Sequence, residues 1–79
     1  MNTLELEHII KNALPCTHLK IDGDGRHFFI EIVSDAFTDK TRIARHRLIK
    51  ETVKHLMATD ELHALSITMA MTPEEWKQH

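Results

Sequence analysis

The sequence predicts a two-layer α+β fold, a three-stranded mixed sheet with its helices on one face. Three observations carry this. Strand-like residues flank Gly23-Asp24-Gly25, as in an antiparallel hairpin. A long helical stretch, about Thr41 to Met57, separates that hairpin from a third strand-like run, so the third strand can pair in parallel. Leu6, Ile9, Ile10 and Ala13 repeat at helical spacing near the start of the chain.

Each element has its own signals. Asn2 followed by Glu5 reads as a helix N-cap with a capping-box-like partner, and Pro15 ends that helix. Leu19 and Ile21 alternate with His18, Lys20 and Asp22, a half-buried strand. Gly23-Asp24-Gly25 is expected to supply the positive φ angles of the turn. Phe28, Ile30 and Ile32 then share one face of the return strand, and His27, Phe29, Glu31 and Val33 the other. Ser34 to Lys40 reads as a loop leading into the second helix, whose buried stripe centres on Ile49, Val53 and Leu56. Leu62 or His63 to Ala70 reads as the third strand. Thr72 caps a short final helix with Pro73 at its first position and Glu75 three residues after the cap, and Trp76 is expected to fold back onto the core. The order is α-β-β-α-β-α.

A chain of 79 residues holds one domain, here 1–79, and one this short buries only about 60% of its unfolded surface. Cys16 is the only cysteine, which excludes an internal disulfide and suits a reducing compartment. It reads as a small hydrophobe at the helix–strand junction rather than a nucleophile. No run approaches the roughly 20 apolar residues of a membrane span, and Glu5 and Glu7 interrupt any signal-peptide layout, so a soluble cytoplasmic protein is expected. A net charge of −2 argues against strong non-specific nucleic-acid binding, and three Phe and one Trp make no broad base-stacking platform.

Five cations, Lys40, Arg42, Arg45, Arg47 and Lys50, lie between positions 40 and 50. Arg42 and Arg45 fall near the buried stripe, where their stems can lie along the core edge, and Lys40 and Arg47 face outward. The group is either a solvated, salt-bridged face or a contact surface for a phosphate backbone or an acidic partner. His46, at the stripe's margin, reads as structural. Asp22-Gly23-Asp24-Gly25 resembles the opening of a calcium loop but lacks the later ligands and closing Glu. No Ser-His-Asp or Cys-His grouping is readable, and no enzyme activity is expected.

His27 follows the glycine turn and His63 opens the third strand. Each alone can be a solvated, capping or core histidine. Together, two imidazoles at element edges could half-surround iron or zinc and leave the other half to a partner.

Arg42-Ile43-Ala44-Arg45-His46-Arg47-Leu48-Ile49, His63-Ala64-Leu65-Ser66-Ile67 and Thr72-Pro73-Glu74-Glu75-Trp76 resemble the R-x-x-R-H-R, H-A-L-x-I and T-P-x-E-W segments of the BolA-like family. Ser34-Asp35-Ala36-Phe37 resembles the family's loop before the helix. There Thr38-Asp39 replaces the usual F-x-G continuation, so either Asp39 takes the left-handed turn position or the start of the helix shifts. Gly23-Asp24-Gly25-Arg26-His27-Phe28 looks like the short-loop bacterial branch. The resemblance covers nearly the whole chain.

The resemblance implies a class II KH-like αββααβ frame without the GxxG loop of nucleic-acid-binding KH domains. It implies partnership with a monothiol glutaredoxin and a shared [2Fe-2S] cluster. His63 matches the family's C-terminal ligand and His27 its variable hairpin ligand, with the glutaredoxin cysteine and glutathione supplying the rest. The cluster is not expected in the isolated chain, which would be a monomer or weak homodimer without membrane attachment. Some members are linked to DNA binding and transcriptional control, the alternative role for the basic helix. Each ligating histidine needs an acceptor for its second ring N–H. Asp22, Asp24 or a backbone carbonyl is expected for His27, and Asp60 and Glu61 lie near His63.

Overall fold

Asn2 starts the first helix as expected: its Oδ1 accepts the Glu5 N–H at 2.8 Å. In the computed structural model, which describes residues 1–79, this helix is α1 (Thr3–Ala13). It buries Leu6 and Ile10, and Leu14 rather than Ala13 completes its apolar face just before Pro15. β1 (His18–Gly23) and β2 (His27–Val33) form the antiparallel hairpin, with Ile21 opposite Ile30 and Leu19 opposite Ile32.

The turn uses its glycines differently from the expectation. Only Gly25 has a positive φ, at 97°. Gly23 is required by crowding: a Cβ there would stand 2.6 Å from Phe28 Cδ1 and 2.7 Å from the His27 carbonyl oxygen. Between them, the Asp24 carboxylate accepts the Arg26 and His27 N–H groups, both at 2.9 Å.

The loop after β2 contains a 3-10 turn, Asp35–Phe37, started by Ser34, whose hydroxyl accepts the Ala36 N–H. Asp39 takes the left-handed position at φ 63°, the first of the two alternatives for Thr38-Asp39. Thr41 then caps α2 (Arg42–Ala58), which buries Ile49, Val53 and Leu56 as the periodicity indicates. At its far end Asp60, also at positive φ, lets the Leu62 N–H turn back onto the Leu56 carbonyl.

β3 (Ala64–Met71) pairs in parallel with β2, giving the sheet order β1-β2-β3 with β2 central. Ile30 opposes Ile67 but Glu31 opposes Met69, so Thr68 is an extra residue, and its hydroxyl donates to the Ile30 carbonyl. α1 and α2 cover one face, where Phe28, Ile30 and Ile32 meet Leu6, Ile10, Phe37, Ile49 and Val53 in one apolar cluster. Counting the 3-10 turn as a helix, the frame through β3 reads αββααβ, followed by α3 (Pro73–Lys77).

Thr72 and Glu75 make the full capping box of α3. Trp76 does not join the core. It stacks on His18 at 4.7 Å, and strand alternation puts His18 on the face opposite Ile30 and Ile32. The short helix therefore carries the indole over the far end of the open sheet face, where Val33 is buried. No helix is long and apolar enough to cross a membrane.

Candidate functional site

His27 and His63 come to one end of the sheet. The Cα of His27 lies opposite Ala64, and the Ala64 N–H donates to the Arg26 carbonyl at 3.1 Å. His63, one residue before Ala64, thus stands beside the start of β2, and both histidines are exposed. Parallel pairing after a hairpin produces this juxtaposition, because it aligns the N-terminal ends of β2 and β3.

The surroundings of His27 differ from the expectation. Asp24 spends its carboxylate on backbone N–H groups of the turn, and these hold its pKa below the ordinary aspartate range. The ring instead meets Ser66: His27 Nε2 lies 2.9 Å from Ser66 Oγ. Phe29, two residues along the same face, stacks against it at 4.5 Å. No hydrogen bond joins Asp60 or Glu61 to His63. No group of three or more His, Cys, Asp or Glu side chains is placed to hold a metal. The histidines that the chain exposes at this end are His27 and His63.

The basic segment divides. Arg45 is an internal tie, its side chain only 13% exposed. Its Nε donates to the Lys40 carbonyl and Nη1 to the Ala70 carbonyl, both at 3.0 Å. Nη1 and Nη2 also reach the two Glu75 carboxylate oxygens at 2.7 and 3.3 Å. With the Thr72 N–H also donating to Glu75, that carboxyl is lowered to about 2, chiefly by the Arg45 hydrogen bond. Lys40, Arg42, Arg47 and Lys50 are exposed and make no ion pair.

Between the start of α2 and the outer edge of β3 lies an open groove of about 540 Å³, with Lys40, Arg42 and His46 on one side and Ile67 to Met71 on the other. Burial, then the charges of Arg42 and Lys50, push the His46 imidazole below its ordinary pKa, which disfavours a positive charge there. Cys16 is half-buried, its thiol donating to the Leu14 carbonyl, and burial raises its pKa, the opposite of an activated thiol. Sequence reasoning missed the Ser66 contact. Strand alternation puts Ser66 on the open face, but only the register brings it to His27.

A family model described as BolA-like protein matches residues 5–75. The chain belongs to the BolA-like family. It is 35% identical over 79 residues to a BolA-like protein of Dictyostelium discoideum, covering 100% of this chain and 66% of that one. It is 30% identical over 76 residues to the acid stress protein IbaG of Escherichia coli K12, covering 96% of this chain and 89% of IbaG. Among solved structures, the BolA domain of SufE1 from Arabidopsis thaliana superposes with a TM-score of 0.81 at 30% identity, over 95% of this chain and 98% of that one. As a BolA-like chain with a bacterial relative of the IbaG type, it carries the family segments at α2, β3 and α3 where their residues do distinct work. Arg45 and Glu75 tie helix to helix, and His63 leads the third strand. The family description and these names indicate no catalytic class.

Proposed function

We propose that this chain is an iron–sulfur adaptor that binds a monothiol glutaredoxin and co-ligates a [2Fe-2S] cluster with it, in iron homeostasis or cluster trafficking. The observation that carries the reading is that two exposed histidines, His27 and His63, stand at adjoining ends of parallel strands. Two neutral nitrogen donors suit iron, and a lone pair of ligands fits a centre completed by a partner's thiolates better than one enclosed by this chain. When bound, such a centre offers one-electron chemistry at a potential above that of an all-thiolate cluster. Binding through imidazole is acid-sensitive, because a proton and the metal compete for the same lone pair.

The test is to mix the purified chain with a monothiol glutaredoxin, iron, sulfide and glutathione, and compare the visible spectrum with that of glutaredoxin alone. A changed spectrum that His63→Ala abolishes is expected. A His63→Ala protein with unaltered spectrum and affinity refutes the ligand assignment.

Four unpaired cations on and beside α2 favour a second reading, a DNA-binding regulator. Its signature is an affinity that falls with salt in proportion to the phosphates neutralised. Arg42, Arg47 and Lys50 are the residues to change, since Arg45 is committed inside the fold. DNA affinity indifferent to Arg42→Ala and Arg47→Ala excludes this reading.

A further inference from the structure

We propose that Ser66 positions His27 so that it offers Nδ1, not Nε2, to a metal. The inference rests on the cluster-sharing reading above and specifies which atom ligates. His27 is restrained at three points, two of them on the ring. Its backbone N–H is held by Asp24 at 2.9 Å, its plane lies against Phe29 with 22° between the rings, and its Nε2 sits 2.9 Å from Ser66 Oγ. Nδ1 makes no hydrogen bond.

A neutral imidazole has one N–H and one lone pair, and the partner of one nitrogen decides the state of the other. Ser66 Oγ makes no other hydrogen bond, and with Nε2–H as the donor to it the free lone pair is on Nδ1. A ligating histidine ordinarily anchors its second N–H on an oxygen acceptor in this way. A hydroxyl does this without adding negative charge beside a shared centre, as a carboxylate would. The contact exists because Ser66 lies opposite Phe29 in the parallel register, one diagonal step from His27 on the same open face.

The first measurement is on the free chain, with histidine labelled with 15N, at about pH 8, above the ordinary histidine range. Two-bond proton–nitrogen correlations report which nitrogen of each ring carries hydrogen. Wild type should show His27 as the Nε2–H form, Ser66→Ala should move it toward a mixture, and Ser66→Thr, which keeps the hydroxyl, should restore it. The second measurement is the rate at which a chelator strips iron from the heterocomplex with glutaredoxin, which should rise by about 10–100-fold in Ser66→Ala.

A wild-type ring in the Nδ1–H form overturns the proposal. So does a Ser66→Ala protein with wild-type tautomer and wild-type cluster lifetime, and in that case the cluster reading stands. If wild type forms no cluster with glutaredoxin, the cluster reading falls and takes the ligand assignment with it. The free-chain spectrum then still shows whether Ser66 sets the ring.

Discussion

Arg45 shows how much one side chain can fix in a small protein. Its guanidinium joins the loop at Lys40, the outer edge of β3 at Ala70 and the capping residue of α3, and lies 5.9 Å from the centre of the Phe37 ring. Covering the Ala70 carbonyl also closes part of an exposed sheet edge to pairing with another chain. Arg45→Ala should cost about 2 kcal/mol or more, the worth of a charged hydrogen bond to carbonyls inside the fold, measurable by urea unfolding. Arg45→Lys should recover only part of this, because an ammonium lacks the planar fork.

Its partner Glu75 gives a pH dependence of known sign. The folded carboxyl is lowered to about 2 from an ordinary value of 4.5. Its stabilisation is therefore complete above about 4.5 and disappears as pH falls toward about 2. The stability difference between wild type and Glu75→Gln should narrow across that window, read by the fluorescence of Trp76 next to it. That Arg45 lies near the apolar stripe is readable from its spacing to Ile49. That it reaches Glu75, 30 positions away, is not, because local periodicity says nothing of which elements meet.

At the scale of elements, most boundaries and partners follow from local chemistry. The Asn2 and Thr72 caps, the hairpin alternation and the parallel third strand are all readable for that reason. Two details escaped. Gly23 is dictated by the Phe28 ring across the hairpin rather than by its own φ, and Trp76 went to the open face because α3 turns past the end of β3. Two substitutions separate the kinds of turn constraint. Gly23→Ala must displace Phe28 or the His27 backbone, so it should destabilise the fold and shift the amide resonances of His27 and Ser66 together. Asp39→Gly should act in the other direction, raising stability by about 1 kcal/mol by relieving a left-handed residue at φ 63°.

For the whole molecule, one cluster of apolar side chains under two helices carries the fold, and the chain has no disulfide to share the load. A chain of 79 residues has a net stability of roughly 4–12 kcal/mol. Phe28→Ala, at a fully buried position on the central strand, should cost about 3–5 kcal/mol, a large part of that total, and lower the unfolding midpoint in a calorimetric scan. Fold and candidate site were legible to different depths. The residue types and the adjoining strand ends of His27 and His63 could be anticipated, but the hydroxyl that steadies one ring is 39 positions away and depends on register alone.

The body measures 35 × 19 × 19 Å, and its parallel strands run from the two imidazoles toward the cationic groove. From Ala64 to Ala70 the rise is roughly 20 Å. Substitutions at the histidine end should therefore leave the Arg45–Glu75 tie at the other end intact, and the reverse should hold as well.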